Sequence, residues 1–294
     1  MKGVKLSVFI FSLPWLLTFV MFWAFPLVYS FLIGFTDCTL HNFKFIPWEN
    51  NWTGWNNYKD LFQDAAFLSS LKNTFIFVLG TIPVTTIIAL LMALLVNRRF
   101  KGRAFFRAGY FLPSITSMVV VALIFTNLYQ RGGYIALLLE AAGFSVPVNG
   151  FLYDSGTALF AIMAMDIWMS VGYYMLIFLA GLKAIPEELY EVAEINGASS
   201  LHRFRSITLP LLKPVALFIL VINSIKSFQV FVEIFVMTKG KFDTSTMVYF
   251  IYDTGLATAF KFGYASAAAY VLFIIIAVFS AVQFILLKRK QPVW

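Results

Sequence analysis

Three ionisable side chains, Asp166, Lys226 and Glu233, stand inside apolar stretches long enough to cross a bilayer. A charge at that depth is costly, so polar residues there mark a ligand path or an internal pair. Around Asp166, the residues Trp168, Ser170, Tyr173 and Tyr174 break the apolar run. Ser170, Tyr173 and Tyr174 fall within one helical turn, and Asp166 and Met169 extend that face. In a later stretch Asn223, Ser227 and Val230 share a face, with Lys226 beside it. Aromatic rings mixed with amide and hydroxyl groups suit a sugar: rings stack on C–H faces while polar groups address hydroxyls. Interhelical polar contacts and interfacial aromatics are the competing reading. Lys226 needs an anion, water or a neutral form. That anion is either an acidic substrate (a uronate or a phosphorylated polyol) or an internal carboxylate. Glu233 lies seven residues on, about 10 Å along a helix axis and long for a direct bridge, which favours Asp166 or a wet cavity.

Other chemistry is scarce. There is no GxxxxGK[ST] phosphate loop, no HExxH and no GxSxG, so no catalytic residue is assigned. Cys38 is the single cysteine, which excludes an intrachain disulfide and a thiolate cluster. His41 and His202 are the only histidines and fall on opposite sides of the membrane in the topology below, so no metal site is assigned. Glu187, Glu188, Glu191 and Glu194 follow a helix surface and read as a docking face rather than an acid–base pair.

The elements that carry these residues are membrane helices. Hydrophobic residues make up 61% of 294 and charged residues only 12%. A soluble globule carries about twice that share of charge. Six spans are predicted, at about 7–35, 72–96, 108–129, 155–182, 213–237 and 264–287, each at least the ~20 residues a bilayer needs. Unsatisfied backbone groups are not tolerated in hydrocarbon, so the spans must be helical and the fold all-α, one polytopic domain over 1–294. Pro14, Pro26, Pro83, Pro113 and Pro214 are candidate kinks. The first span is too long for a signal-peptide core and is read as an uncleaved helix.

Cations set the orientation. Lys2, Lys5, Arg98, Arg99, Lys101, Arg103, Arg107, Lys183, Arg203, Arg205, Lys213, Lys288, Arg289 and Lys290 fall on one side. Lys44, Lys59, Lys72, Arg131, Lys239, Lys241 and Lys261 fall on the other. The richer side is cytoplasmic, with both termini on it. This bias accounts for the net charge of +8 without nucleic acid as a partner.

Between the fourth and fifth spans lies a polar island, the cytoplasmic loop 183–212, with EVAEINGASSLHRFRSITLP at Glu191–Pro210. Pro186 presets a helix, and Glu187 and Glu188 complement its positive end. Ala193 and Gly197 lie one turn apart and admit a close neighbour. Gly197 is suited to a left-handed cap, and Ser199 or Ser200 to the start of a second helix through Ile207 that Pro210 closes.

Glu191-Val-Ala193, Gly197 and Ile207-Thr-Leu209-Pro210 resemble the EAA loop of binding-protein-dependent ABC importer permeases. Val192 departs from the usual second alanine. LKAIPEELYEVAEINGAS, SFQVFVEIFVMTKG and GWNNYKDLF extend the likeness to carbohydrate permeases of the MalF or glycerol-phosphate-permease-A type.

The resemblance implies a permease subunit in a bacterial or archaeal cytoplasmic membrane. Its implied partners are a MalG-type permease, two ATPase subunits that hold ATP and magnesium, an extracytoplasmic binding protein and a carbohydrate. No cofactor is implied in this chain. Glu191, Ala193, Gly197, Ile207, Leu209 and Pro210 are implied to couple to an ATPase. Met169, Ser170, Tyr173, Asn223, Lys226, Ser227 and Val230 match substrate-lining positions, and a path for a sugar, including an anionic one, is implied. The outer loops 36–71 and 238–263 are implied to meet the binding protein. A self-sufficient secondary carrier for a small polar solute is the alternative.

Overall fold

The computed structural model describes residues 2–98 and 100–288. Arg99, Arg289 and Lys290 of the orientation argument lie outside the described residues, as do the side chains of Lys2, Lys5 and Lys288. The architecture is all-α. In chain order the helices are α1 (Lys2–Phe19), α2 (Phe25–Ile33), α3 (Asn56–Leu61), α4 (Ala65–Asn97), α5 (Arg103–Ile115), α6 (Met118–Tyr129) and α7 (Tyr134–Ala141). There follow α8 (Ala158–Lys183), α9 (Glu187–Ile195), α10 (Ser200–Arg203), α11 (Leu209–Phe228), α12 (Val232–Met237), α13 (Met247–Tyr252) and α14 (Phe262–Lys288).

Five helical stretches are long and apolar enough to cross a membrane: Phe9–Ile33, Ala65–Asn97, Ala158–Lys183, Ser200–Met237 and Phe262–Leu286. A sixth crossing exists only if α5 and α6 count together, because they meet at 97°. The third span predicted at 108–129 is thus sharply bent close to Pro113, one of the candidate kinks. Pro113 brings no N–H to the last turn of α5, and Thr116 and Ser117 adopt extended backbone angles. The Thr116 hydroxyl returns a hydrogen bond to the Leu112 carbonyl at 2.9 Å, satisfying one group freed there.

The fifth span ends at Met237 as predicted but starts earlier and is interrupted within. Its helix starts well before residue 213: α10 runs through a π-helical segment (Phe204–Thr208) directly into α11, so Pro210 does not close it. The Leu209 amide reaches back five residues to the Phe204 carbonyl, and this widened turn precedes the proline. The same device recurs in the first span, where Phe25 N–H donates to Val20 O one residue before Pro26. A proline ring collides with the carbonyl four residues back, and widening the turn before it relieves that crowding. At its far end the fifth span breaks at Gln229–Phe231 before α12. There the Thr246 hydroxyl donates to the Val230 carbonyl at 3.0 Å.

By contact the chain forms two compact units: Met1–Leu68 with Phe250–Phe273, and Ser69–Tyr249 with Ile274–Trp294. In the first, Phe35 is enclosed by Trp52, Trp55 and Tyr58, with ring centroids at 5.0–5.5 Å. Asn57 Nδ2 donates to the carbonyls of Gly34 and Thr36 at 2.9 Å each. Gly263 N–H donates to Cys38 O, and a Cβ at Gly263 would stand 2.1 Å from the Thr36 carbonyl, so only glycine allows this approach.

The second unit is built on α8, whose apolar window is 67% buried. Along it Met175, Phe178 and Leu182 pack with Ala89, Ala93, Leu212 and Ile219. Nearer its start Ile162, Met165 and Met169 pack with Phe77, Val121 and Ile234. A Cβ on Gly172 would lie 1.8 Å from the Tyr110 carbonyl oxygen, so this glycine lets α5 lie directly on α8.

Cys38 is fully buried, and burial, aided by the charge of Asp37, raises its thiol pKa. A raised pKa keeps the thiol protonated and inert at neutral pH. Maleimide should label Cys38 in the folded protein at least about tenfold more slowly than in SDS, with the rate climbing only above the ordinary thiol range. Equal rates in both states at pH 7 would contradict its placement.

Candidate functional site

A cavity of about 300 Å³ opens in the second unit, lined by Ser114, Met118, Met169, Ser170, Tyr173, Tyr174, Ile222 and Lys226. Four of the seven residues predicted for a substrate path therefore share one cavity: Met169, Ser170, Tyr173 and Lys226. Asn223, Ser227 and Val230 do not line it. They are buried behind it, where Ser227 hydrogen-bonds Asn223 at 3.4 Å and Val230 joins the core beneath α8. Val230 lies beyond the break at Gln229, off the α11 face that the sequence pattern assigns to it, whereas Asn223 and Ser227 stand on α11 itself with buried side chains.

Of the two carboxylates considered for Lys226, Asp166 is the one in contact. Lys226 Nζ donates to Asp166 Oδ1 at 2.8 Å and to Ser170 Oγ at 2.6 Å. Ser170 in turn donates to Asp166 at 3.4 Å. The two ends of the pair differ in exposure: the Asp166 side chain is 3% accessible and that of Lys226 is 42%. Glu233, on the first turn of α12, is buried and interacts electrostatically with both Asp166 and Lys226.

On the same helix as Asp166, Tyr173 is 45% exposed and rests edge-on against Tyr174, with ring centroids 5.2 Å apart. Met118 and Met169 add adaptable apolar surface. Ser114 and Met118, from the two sides of the α5–α6 break, are lining residues that the sequence pattern does not reveal. Their signal is the run Pro113-Ser-Ile-Thr-Ser117, four polar or helix-breaking residues within five positions of an apolar span. Ser114 Oγ donates to the Met169 carbonyl at 2.7 Å, which fixes that broken segment on α8. Irregular backbone at membrane depth is tolerated where it lines a cavity, as it does here.

The polar loop forms a second feature, a compact helical corner. Pro186 is the N-cap of α9, and Gly197 takes the left-handed conformation at φ +76°. Gly197 N–H donates to Glu194 O and Ala198 N–H to Ala193 O, both at 2.9 Å, closing the helix. Ser199 caps α10 by accepting from the His202 amide at 3.3 Å. Arg203 bridges to Glu194 across the turn at 2.6 Å, and Tyr190 shares a hydrogen bond with Thr208 at 2.9 Å. Glu191 and Gly197 are exposed, Ala193 and Ile207 half-buried, and Leu209 and Pro210 exposed. A Cβ on Gly197 would meet nothing within 4 Å. Leu189, Val192, Ile195 and Leu201 add an exposed apolar surface to the same corner.

The family described as binding-protein-dependent transport system inner membrane component matches residues 85–291. Among similar proteins, the probable ABC transporter permease protein YesP of Bacillus subtilis is 34% identical over 285 residues, covering 95% of this chain and 90% of that one. The arabinooligosaccharides transport system permease protein AraP of the same organism is 32% identical, covering 95% and 88%. The trehalose/maltose transport system permease protein MalF of Thermococcus litoralis is 34% identical, covering 92% and 90%. A chain of a bacterial ABC transporter involved in the import of the acidic polysaccharide alginate shares the fold, with a TM-score of 0.83, 24% identity and 99% coverage of both chains.

Removing either partner of the Asp166–Lys226 pair strands the other, whereas removing both does not. Asp166→Asn and Lys226→Met should each lower thermal stability in detergent, while the double substitution costs less than their sum. A coupling of about 1–2 kcal/mol is expected, reduced from a fully buried value because solvent reaches Lys226. Strict additivity in the denaturation midpoints would sink the pairing.

Proposed function

The chain belongs to the binding-protein-dependent transport system inner membrane component family, and on that premise we propose that it is the permease subunit of an ATP-driven importer of a sugar or oligosaccharide. As a permease it is not an enzyme; ATP and magnesium are held by separate ATPase subunits. The observation that carries the sugar reading is the cavity on α8, where Tyr173 offers a ring and Lys226 and Ser170 offer hydrogen bonds. The AraP and MalF relatives, named for oligosaccharide and for trehalose/maltose transport, support it. A bacterial alginate ABC transporter of similar fold has been solved in complex with an alginate pentasaccharide-bound periplasmic protein, and the family's own description names binding-protein dependence, which supports an extracytoplasmic binding protein here.

The whole chain acts as one multi-pass domain of the cytoplasmic membrane, with both termini and the 183–212 loop on the cytoplasmic side. A second permease of MalG type completes the path, and two ATPases drive it. One of them receives the corner formed by α9 and α10, with Glu191, Ala193 and Gly197 at the contact. The open space at Gly197 and the exposed Val192 and Ile195 support this docking. Ile207, Leu209 and Pro210 lie on the continuous helix from the corner into α11 and carry its displacement into the membrane. A secondary carrier would need no such corner.

Two experiments test this reading. The chain copurified in lipid with its partner permease, ATPases and binding protein should hydrolyse ATP faster when that binding protein carries a saccharide. If no ATPase copurifies and no liganded binding protein stimulates hydrolysis, the importer assignment falls. Separately, Gly197→Asp should cut uptake at least about tenfold while insertion remains intact, since the left-handed strain costs only about 1–2 kcal/mol and no neighbour in the chain is struck. Normal coupled uptake in that variant would defeat the docking assignment.

A further inference from the structure

Resting on the sugar reading of the same cavity, we propose that the site selects neutral saccharides and rejects uronates and sugar phosphates, because its lysine is already neutralised from within. Lys226 is the only charged residue lining the cavity among those described. Taken from the sequence alone, an exposed ammonium at this depth invites an anionic substrate. The geometry removes that invitation. Nζ is 2.8 Å from Asp166 Oδ1 and 2.6 Å from Ser170 Oγ, so two of its three donors point into the protein. One donor remains for the cavity.

Glu233 tips the balance further. It is buried, and it lies within electrostatic reach of both members of the pair without touching the lysine in a salt bridge. With Glu233 ionised the cluster carries one net negative charge; with Glu233 protonated it carries none. In neither state is the wall positive. A substrate carboxylate therefore has two routes, and both are unfavourable. It can approach the intact pair and meet a neutral or negative wall. Alternatively, it can take Nζ from Asp166, which leaves a 3%-accessible carboxylate buried with Ser170 as its remaining hydrogen-bond partner.

A sugar hydroxyl meets neither obstacle. It accepts the free N–H of Lys226 without disturbing the pair. The ring of Tyr173 and the side chains of Met118 and Met169 stand ready for the C–H faces of a pyranose. The arrangement is a fixed donor held in place by charge, not a free positive charge. Asp166 is in this account a positioning residue: it does not line the cavity, and it acts through Lys226.

The test uses the complete importer in proteoliposomes, with binding protein saturated by each probe so that passage through the permease is read. The probes are trisaccharides of glucose, galactose and mannose, each offered as the neutral sugar and as the uronate of the same linkage. For whichever skeleton is transported, ATP-dependent uptake of the neutral member should exceed that of the uronate by at least about tenfold. Asp166→Asn uncovers the ammonium and should narrow that ratio by about tenfold. Lys226→Met should lower neutral uptake and leave the uronate excluded. Uronate uptake by the unaltered importer equal to or above neutral uptake overturns the proposal. So does an unchanged ratio in an assembled Asp166→Asn complex, or a Lys226→Met complex that loses uronate uptake alone. Where Asp166→Asn does not assemble, the ratio of the unaltered importer decides. Uptake of none of the probes, neutral or acidic, overturns the sugar reading itself and is distinguishable from every result above.

Discussion

In hydrocarbon a backbone carbonyl or amide without a partner costs several kilocalories, and no water is available to supply one. Four irregularities within the crossing segments answer that constraint. Where the helix must pass Pro26 or Pro210, it widens into a π-turn and keeps bonding, five residues back instead of four. Where it stops, side-chain hydroxyls stand in: Thr116 serves the Leu112 carbonyl at the α5–α6 break, and Thr246 serves Val230 at the α11–α12 break. Of these sites the α5–α6 break borders the cavity, which Ser114 and Met118 line from either side of it.

Close packing on α8 is the second requirement. Gly172 removes the one side chain that would hold α5 away, and Ser114 then reaches the Met169 carbonyl one turn earlier. The broken third span is thereby fixed at two adjoining points. Rigid backing matters for a site whose polar groups work by direction. A lysine with four rotatable methylenes is a poor donor on its own, and here Asp166 and Ser170 hold it.

The sequence pattern discloses composition-level and local features well. The helical class, the crossing segments, the cap at Gly197 and the cap at Ser199 all follow from residues within a few positions of one another. What it does not disclose depends on partners far along the chain. Pro14, Pro83 and Pro214 lie inside unbroken helices, whereas the break at Gln229–Phe231 contains neither proline nor glycine. That break is stabilised by Thr246, sixteen residues away, so no local window contains its cause. Val230 leaves the face that helical spacing assigns to it for the same reason: the chain turns between Phe228 and Val230. The Asp166–Lys226 contact spans sixty residues, and helical spacing narrows it only by making Glu233 a poor direct partner.

The connectivity gives that contact a mechanical meaning. The polar corner hangs between two helices: α8 leads into it at Lys183, and α11 leaves it as an uninterrupted continuation of α10 and the π-turn. Asp166 and Ser170 stand on the first of these helices, and Lys226 stands near the far end of the second. The same two elements that converge on the corner are thus tied again at the cavity. Any displacement of the corner that moves α8 and α11 together leaves the cavity's donor in place. A displacement that separates them acts on the contact between Nζ and Asp166. Because Lys226 is nearly half exposed, solvent or a sugar hydroxyl is available to replace what is lost. One salt bridge thereby joins, at the cavity, the two helices that flank the loop.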